Sequence, residues 1–192
     1  EPIPDGVPEG VMFFKVWGTS PDDVWVIGEQ GVQLHFDGVN WTYEPIEGAP
    51  RLVTLHGGDD GLRVTVGGAN NAVLLEDMGD GWVDRSPPLS PALNGVFVGT
   101  DRAAAVGMLG SAHLRESGAW SPLEPLPLFV DLHAVWLDSR GDVYAVGGGL
   151  LSVTAMDRGA LLHWGPPRDD IPEGPITLHH PTERSASPDT WV

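Results

Sequence analysis

The side chains here with most capacity for chemistry are seven histidines and 27 acidic residues. His35, His113 and His163 recur at intervals, at positions that read as equivalent. A neutral imidazole can ligate a metal or act as a general base. The acids cluster as Asp22-Asp23, Asp59-Asp60, and Asp138 with Asp142. Carboxylate oxygens are calcium ligands, but the ion needs roughly six to eight oxygens that converge. No EF-hand spacing occurs among these residues. An Asp in a turn has a second use, accepting hydrogen bonds from nearby backbone amides. His179-His180 form an adjacent pair, yet neighbours on a strand point to opposite faces, which opposes joint ligation. Cysteine is absent, so thiolate ligands, thiol nucleophiles and disulfides are excluded. No G-x-S-x-G, H-E-x-x-H or phosphate-loop pattern occurs. Gly147-Gly148-Gly149 lacks the lysine and the following helix that a phosphate loop requires.

Whether these groups can meet depends on the elements that carry them. Residues 16–41 read VWGTSPDDVWVIGEQGVQLHFDGVNW, and three weaker copies follow. In the first copy the pattern predicts strands at 11–17, 24–27, 32–36 and 41–43, separated by Asp- and Gly-containing turns. The second predicts strands at 52–55, 62–66 and 72–75, then Trp82. The third predicts 95–98, 103–106 and 111–115, then Trp120. The fourth predicts 133–137, 143–146 and 160–164. Glycines end the second strands at Gly28, Gly67, Gly107 and Gly147, at spacings of 39, 40 and 40 residues. Aromatics follow the third strands at Trp41, Trp82 and Trp120. A unit of about 40 residues with four short strands cannot bury its own faces, so copies must stack. The three histidines therefore sit on separate units, each packed beside its own unit's aromatic, and cannot share one metal. The chain divides into a lead-in at 1–10, repeats over 11–165 (11–47, 52–87, 93–127, 132–165), and a Pro-rich tail at 166–192.

The fourth copy departs from the pattern. Residues 148–158, GGLLSVTAMDR, separate its second and third strands and carry Leu150, Leu151, Val153 and Met156. Its outer Trp is missing, and the next strand-like run, 175–179, either serves as a delayed outer strand or crosses to the first unit to close a ring. Apolar side chains that the repeat does not explain are candidates for a partner surface. Those are the four above, Phe129 in the Pro-rich linker 122–130, and Trp164 and Trp191, which escape the repeat. A structural role also accounts for the insertion, as a longer hairpin packed on a neighbouring unit.

Net charge bounds the partners. The chain carries −17, and Lys15 is its one lysine. Such a surface repels phosphate backbones and anionic membranes, which disfavours nucleic acid and lipid. No apolar run is long enough to span a bilayer as a helix. With Gly 26 and Pro 18 in 192 residues, the composition suits many short strands and turns. The opening at Glu1 without Met suggests a processed terminus, compatible with secretion.

The form W-G-x-S-x-x-D-V-W-x-x-G…H-x-D-G-x-x-W in the first copy resembles the blade repeats of bacterial secreted and lipoprotein-type β-propellers. Ser20-Pro21-Asp22-Asp23-Val24-Trp25 is similar to an Asp-box turn, and Gly67-Gly68 and Gly147-Gly148 to the kelch glycine doublet. The resemblance covers about four-fifths of the chain. It implies an all-β propeller of four visible blades, either a closed four-bladed ring or part of a larger or shared one. It also implies an extracytoplasmic setting, with lipid anchoring through a segment before Glu1 as one route. Propellers host enzymes, lectins and docking platforms alike. A sialidase-like site would need clustered Arg, a Tyr nucleophile and an acid. Here Tyr43 and Tyr144 sit on strands and the arginines are scattered. A copper-radical kelch oxidase is excluded by the missing cysteine. The expectation is a non-catalytic protein-binding or assembly subunit without a cofactor. The alternative is a lectin-like propeller that binds carbohydrate or calcium through Asp22, Asp23, Asp59, Asp60, Asp138 and Asp142. A glycoside hydrolase is a more distant reading.

Overall fold

The computed structural model describes residues 3–123, 130–149, 158–166 and 176–179. They form four antiparallel sheets of four strands, each a meander in chain order. The first sheet holds β1 (Phe13–Ser20), β2 (Asp23–Gly28), β3 (Gln33–Phe36) and β4 (Trp41–Tyr43). The second holds β5 (Leu52–Gly57), β6 (Arg63–Gly67), β7 (Val73–Asp77) and β8 (Val83–Asp84). The third holds β9 (Leu93–Val98), β10 (Arg102–Gly107), β11 (Ala112–Glu116) and β12 (Ala119–Pro122). The fourth holds β13 (Leu132–Leu137), β14 (Val143–Gly148), β15 (Arg158–Trp164) and β16 (Ile176–His179). The late strand β16 pairs with β15, with Leu161 opposite Ile176, so it is the outer strand of the fourth sheet and not of the first. Among the described residues there is no α-helix; a single 3₁₀ turn, Met108–Gly110, joins β10 to β11.

The periodic glycines have a common steric cause. A Cβ on Gly28, Gly67, Gly107 or Gly147 would lie 2.0–2.2 Å from a backbone carbonyl oxygen, of Met12, Arg51, Ala92 or Asp131 respectively. In each case that carbonyl belongs to the segment entering the sheet's first strand. It accepts the N–H of the residue after the glycine: Glu29, Gly68, Met108 or Gly148. The repeat thus marks where the entering chain crosses over the end of its own second strand. Only a residue without Cβ allows that approach.

Alternation places two apolar faces on each sheet, and consecutive sheets pack face on face. Trp25 and Ile27 of the first sheet meet Leu52, Leu55 and Leu75 of the second. Val64, Val66 and Leu74 of the second meet Val96, Val98, Ala103 and Ala105 of the third. Ala104, Val106 and Leu114 of the third meet Val135, Leu137, Val143, Ala145 and Leu162 of the fourth. Polar ties cross the same seams. Trp82 Nε1–H donates to the buried Gln33 side chain at 2.9 Å, and the Arg63 guanidinium lies 4.0 Å over the Trp25 ring. Between the second and third sheets, Arg115 and Trp120 both donate to the buried Glu76 carboxylate.

Candidate functional site

The histidines do not converge. His35 stacks on Trp25 with ring centroids 3.8 Å apart, and its Nε2 is 2.9 Å from Asp23 Oδ1. Trp25 Nε1–H donates to the same oxygen at 2.7 Å, and the Thr19 hydroxyl donates to Asp23 Oδ2. The fourth sheet repeats this group: His163 lies 4.8 Å from the Tyr144 ring, and its Nε2 is 3.2 Å from Asp142 Oδ2. His113 corrects the sequence reading. Register pairs His35 with Trp25 and His163 with Tyr144, whereas Leu114, not His113, pairs with the equivalent Ala104. A one-residue offset turns a strand side chain to the other face. His113 therefore faces the second sheet, buried, with its Nε2 3.0 Å from Ser90 Oγ. Burial holds its pKa below the ordinary imidazole value.

The acidic turns use their oxygens locally. Asp60 Oδ1 accepts the Leu62 N–H at 3.1 Å. Asp138 Oδ1 accepts the N–H groups of Arg140 and Asp142 at 2.8 and 3.0 Å, while its Oδ2 takes the Arg140 guanidinium at 2.7 Å. Burial raises the Asp23 pKa, but the hydrogen bonds from Thr19, His35 and Trp25 outweigh it and leave that pKa below the usual value. Asp22 packs against the Gly38 turn, and Asp59 is exposed. Among the described residues, no three His, Asp or Glu side chains gather as a metal site would require.

Of the expected partner-binding residues, Leu150, Leu151, Val153, Met156, Phe129 and Trp191 lie outside the described residues. Trp164 is described. It ends β15, half-buried, and packs on the core between the third and fourth sheets. There it lines the smaller of two adjoining clefts, about 270 Å³, with Leu114, Leu123, Val143 and Pro166. The larger cleft, about 530 Å³, is lined by Phe97, Thr100, Glu116, Leu137 and Asp138. Arg102, Arg140 and Gly141 line both, so the two adjoin as a furrow along the seam, spanned by the Arg102–Gly141 contact.

Arg102 and Gly141 shape this furrow. Arg102 Nη1 donates to the Gly141 carbonyl at 2.6 Å, and Nη2 pairs with Glu116 at 2.7 Å. A Cβ at Gly141 would fall 1.8 Å from Nη1, and its φ of +88° already favours glycine. The guanidinium therefore reaches the turn of the next sheet through space that a Cβ would fill. Arg102 opens its second strand where the first and fourth sheets have Asp23 and Asp142. That reversal of charge was the available signal in the sequence, hidden because the arginines there look scattered. The larger cleft is mainly polar, with Phe97 and Leu137 as its apolar lining; the smaller is lined by Leu114, Leu123, Val143 and Trp164, and charges of both signs stand beside them. This suits an extended polypeptide, whose apolar side chains meet the smaller cleft while its backbone and charged groups meet the larger.

No family model and no curated protein sequence matches this chain. Its fold is similar to that of solved structures. YCF48 from Cyanidioschyzon merolae matches at TM-score 0.62 and 20% identity, over 93% of this chain and 59% of that one. A structure titled YCF48 bound to D1 peptide matches at 0.58 and 16%, over 93% and 56%. The computationally designed Ika4 protein matches at 0.59 and 12%, over 82% and 93%. At these identities the likeness is one of fold, an all-β propeller architecture. The chain spans less than two thirds of the length of the YCF48 structures.

Proposed function

We propose that this chain is a non-catalytic β-propeller module that binds another protein, seating an extended segment of it in the furrow between the third and fourth sheets. The observation that carries the reading is the furrow itself, a polar cleft beside Arg102 and Arg140 that adjoins an apolar one ending at Trp164. The similar YCF48 structure holds a peptide, which supports a propeller of this shape as a peptide platform. Each sheet is one blade of about 40 residues. The setting is extracytoplasmic, as the repeat resemblance implies, and recovery of the native protein in the cytosolic fraction would count against that part.

The test is panning of a phage-displayed peptide library on the purified chain, with Arg140→Glu and Trp164→Ala as comparisons. Arg140 is exposed but pairs with Asp138, so circular dichroism of both variants must match the wild type before affinities are compared. Enriched peptides should lose at least about tenfold in affinity with either variant, roughly 1.4 kcal/mol. No enrichment, or equal capture by wild type and both variants, removes the furrow as the site.

A further inference from the structure

Among the described residues, the two ends of the sheet array carry contact surfaces that have no partner. On the face each sheet turns toward the next, the residue before the periodic glycine is Ile27, Val66, Val106 and Val146. The first three are 0% exposed; Val146 is 47% exposed. On the same faces the first strands carry Trp17, His56, Phe97 and Trp136 at one equivalent position. The Trp17 ring packs so closely on Gly57 of the second sheet that a Cβ there would be 2.4 Å away, and His56 stacks on Phe97 of the third at 4.6 Å. Trp136 has no following sheet among the described residues and is 51% exposed.

The opposite end mirrors this. On the faces turned toward the preceding sheet, Leu55, Val96 and Val135 are at most 8% exposed, but the equivalent Val16 is 62% exposed. Trp82 and Trp120 each donate to a side chain of the preceding sheet, and their equivalent, Trp41, has no preceding sheet among the described residues. Val16 and Val146 are exposed in the same molecule, so the first and fourth sheets do not cover each other.

We infer that a second copy of this chain covers both ends, head to tail, the fourth sheet of each against the first sheet of the other. These two faces are the two sides of one contact that the chain already makes three times. The fourth sheet's face is thus shaped to receive the side of a repeat that, among the described residues, the first sheet alone leaves uncovered. One twofold axis satisfies both ends at once and closes a ring of eight sheets, within the usual propeller range of about four to eight. Burial of Trp136, Val146 and Val16 drives the association, while the −17 charge of each chain opposes it, so added salt strengthens it. Peptide capture in the furrow uses a different seam, so either reading can fail without the other.

Sedimentation equilibrium of the purified chain tests this. The expected mass is twice the 20.5 kDa of one chain, with tighter association at higher salt. Val146→Asp and Val16→Asp each place a carboxylate on a surface open in the single chain, so circular dichroism should stay unchanged. Each alone should weaken association at least about tenfold by burying an unpaired charge. Mixed together they should associate again, because the mixed dimer regains one unaltered contact. Trp136→Ser replaces Val146→Asp should that variant misfold. A monomer at every concentration and salt overturns the inference. So does a trimer, or a dimer indifferent to Val16→Asp, which would mean two fourth sheets face each other.

Discussion

Replacing Glu76 tests the principal polar tie between the second and third sheets. Its side chain is 8% exposed and accepts from Arg115 Nε at 2.5 Å and Trp120 Nε1 at 2.8 Å, both on the third sheet. Arg85 on its own sheet donates more distantly, at 3.2 Å, and is half exposed. Glu76→Leu fills the space but leaves the Arg115 guanidinium, only 16% exposed, without its counter-charge. Removing one member of a buried pair costs about 3–5 kcal/mol. Arg115 keeps some contact with water, which favours the low end, about 3 kcal/mol, and losing the Trp120 hydrogen bond adds about 1 kcal/mol. For a chain of this length each kcal/mol lowers Tm by about 2–4 °C, so the expected loss is roughly 8–16 °C. The double variant Glu76→Leu, Arg115→Leu replaces the pair with apolar side chains and should recover most of that loss. Urea denaturation followed by tryptophan fluorescence measures both. A loss below about 1 kcal/mol in the single variant, or a double variant less stable than the single, would refute the view of Glu76 and Arg115 as one buried unit.

Further outcomes follow from the same structure. Burial, with Lys15 nearby, holds the His56 pKa below the ordinary value, and its Nδ1 accepts the Val98 N–H; burial does the same to His113. The unfolded chain then binds protons that the folded chain does not, so stability is intact above about pH 6.5 and falls as pH drops below it. Thermal melts should show a lower Tm at about pH 5.5 than at about pH 7.5, with a smaller drop in His113→Asn; a Tm that rises on acidification contradicts the assignment. Gly141→Ala should cost about 1–3 kcal/mol more than Gly48→Ala, because both have positive φ but only Gly141 has Arg102 in the space of a Cβ. Equal costs in chemical denaturation would mean that Arg102 moves aside freely. Calcium at millimolar concentration should leave Tm unchanged, since Asp23, Asp60 and Asp138 already hold hydrogen bonds in their own turns. A site with Kd one tenth of the calcium present would add roughly 1.4 kcal/mol, and such a rise would restore the lectin-like reading.

Composition, alternation and the glycine period by themselves determined the strands and their grouping into four units. Gly28, Gly67, Gly107 and Gly147 could be read in advance because their constraint is local: each meets the carbonyl of a residue 15 or 16 positions earlier, the same crossing in every unit. Contacts between units left no such trace. Glu76 meets Arg115, and Arg102 meets Gly141, each across 39 residues, and neither pair shares a motif. His113 looked equivalent to His35 until register set it one residue out and turned it to the other face. The end faces make the clearest case. Val146 occupies the same repeat position as Ile27, Val66 and Val106, and in sequence nothing distinguishes it. Its exposure depends on whether a neighbouring sheet is there to cover it, and only the tertiary structure decides that, because burial belongs to a pair of surfaces and not to a residue.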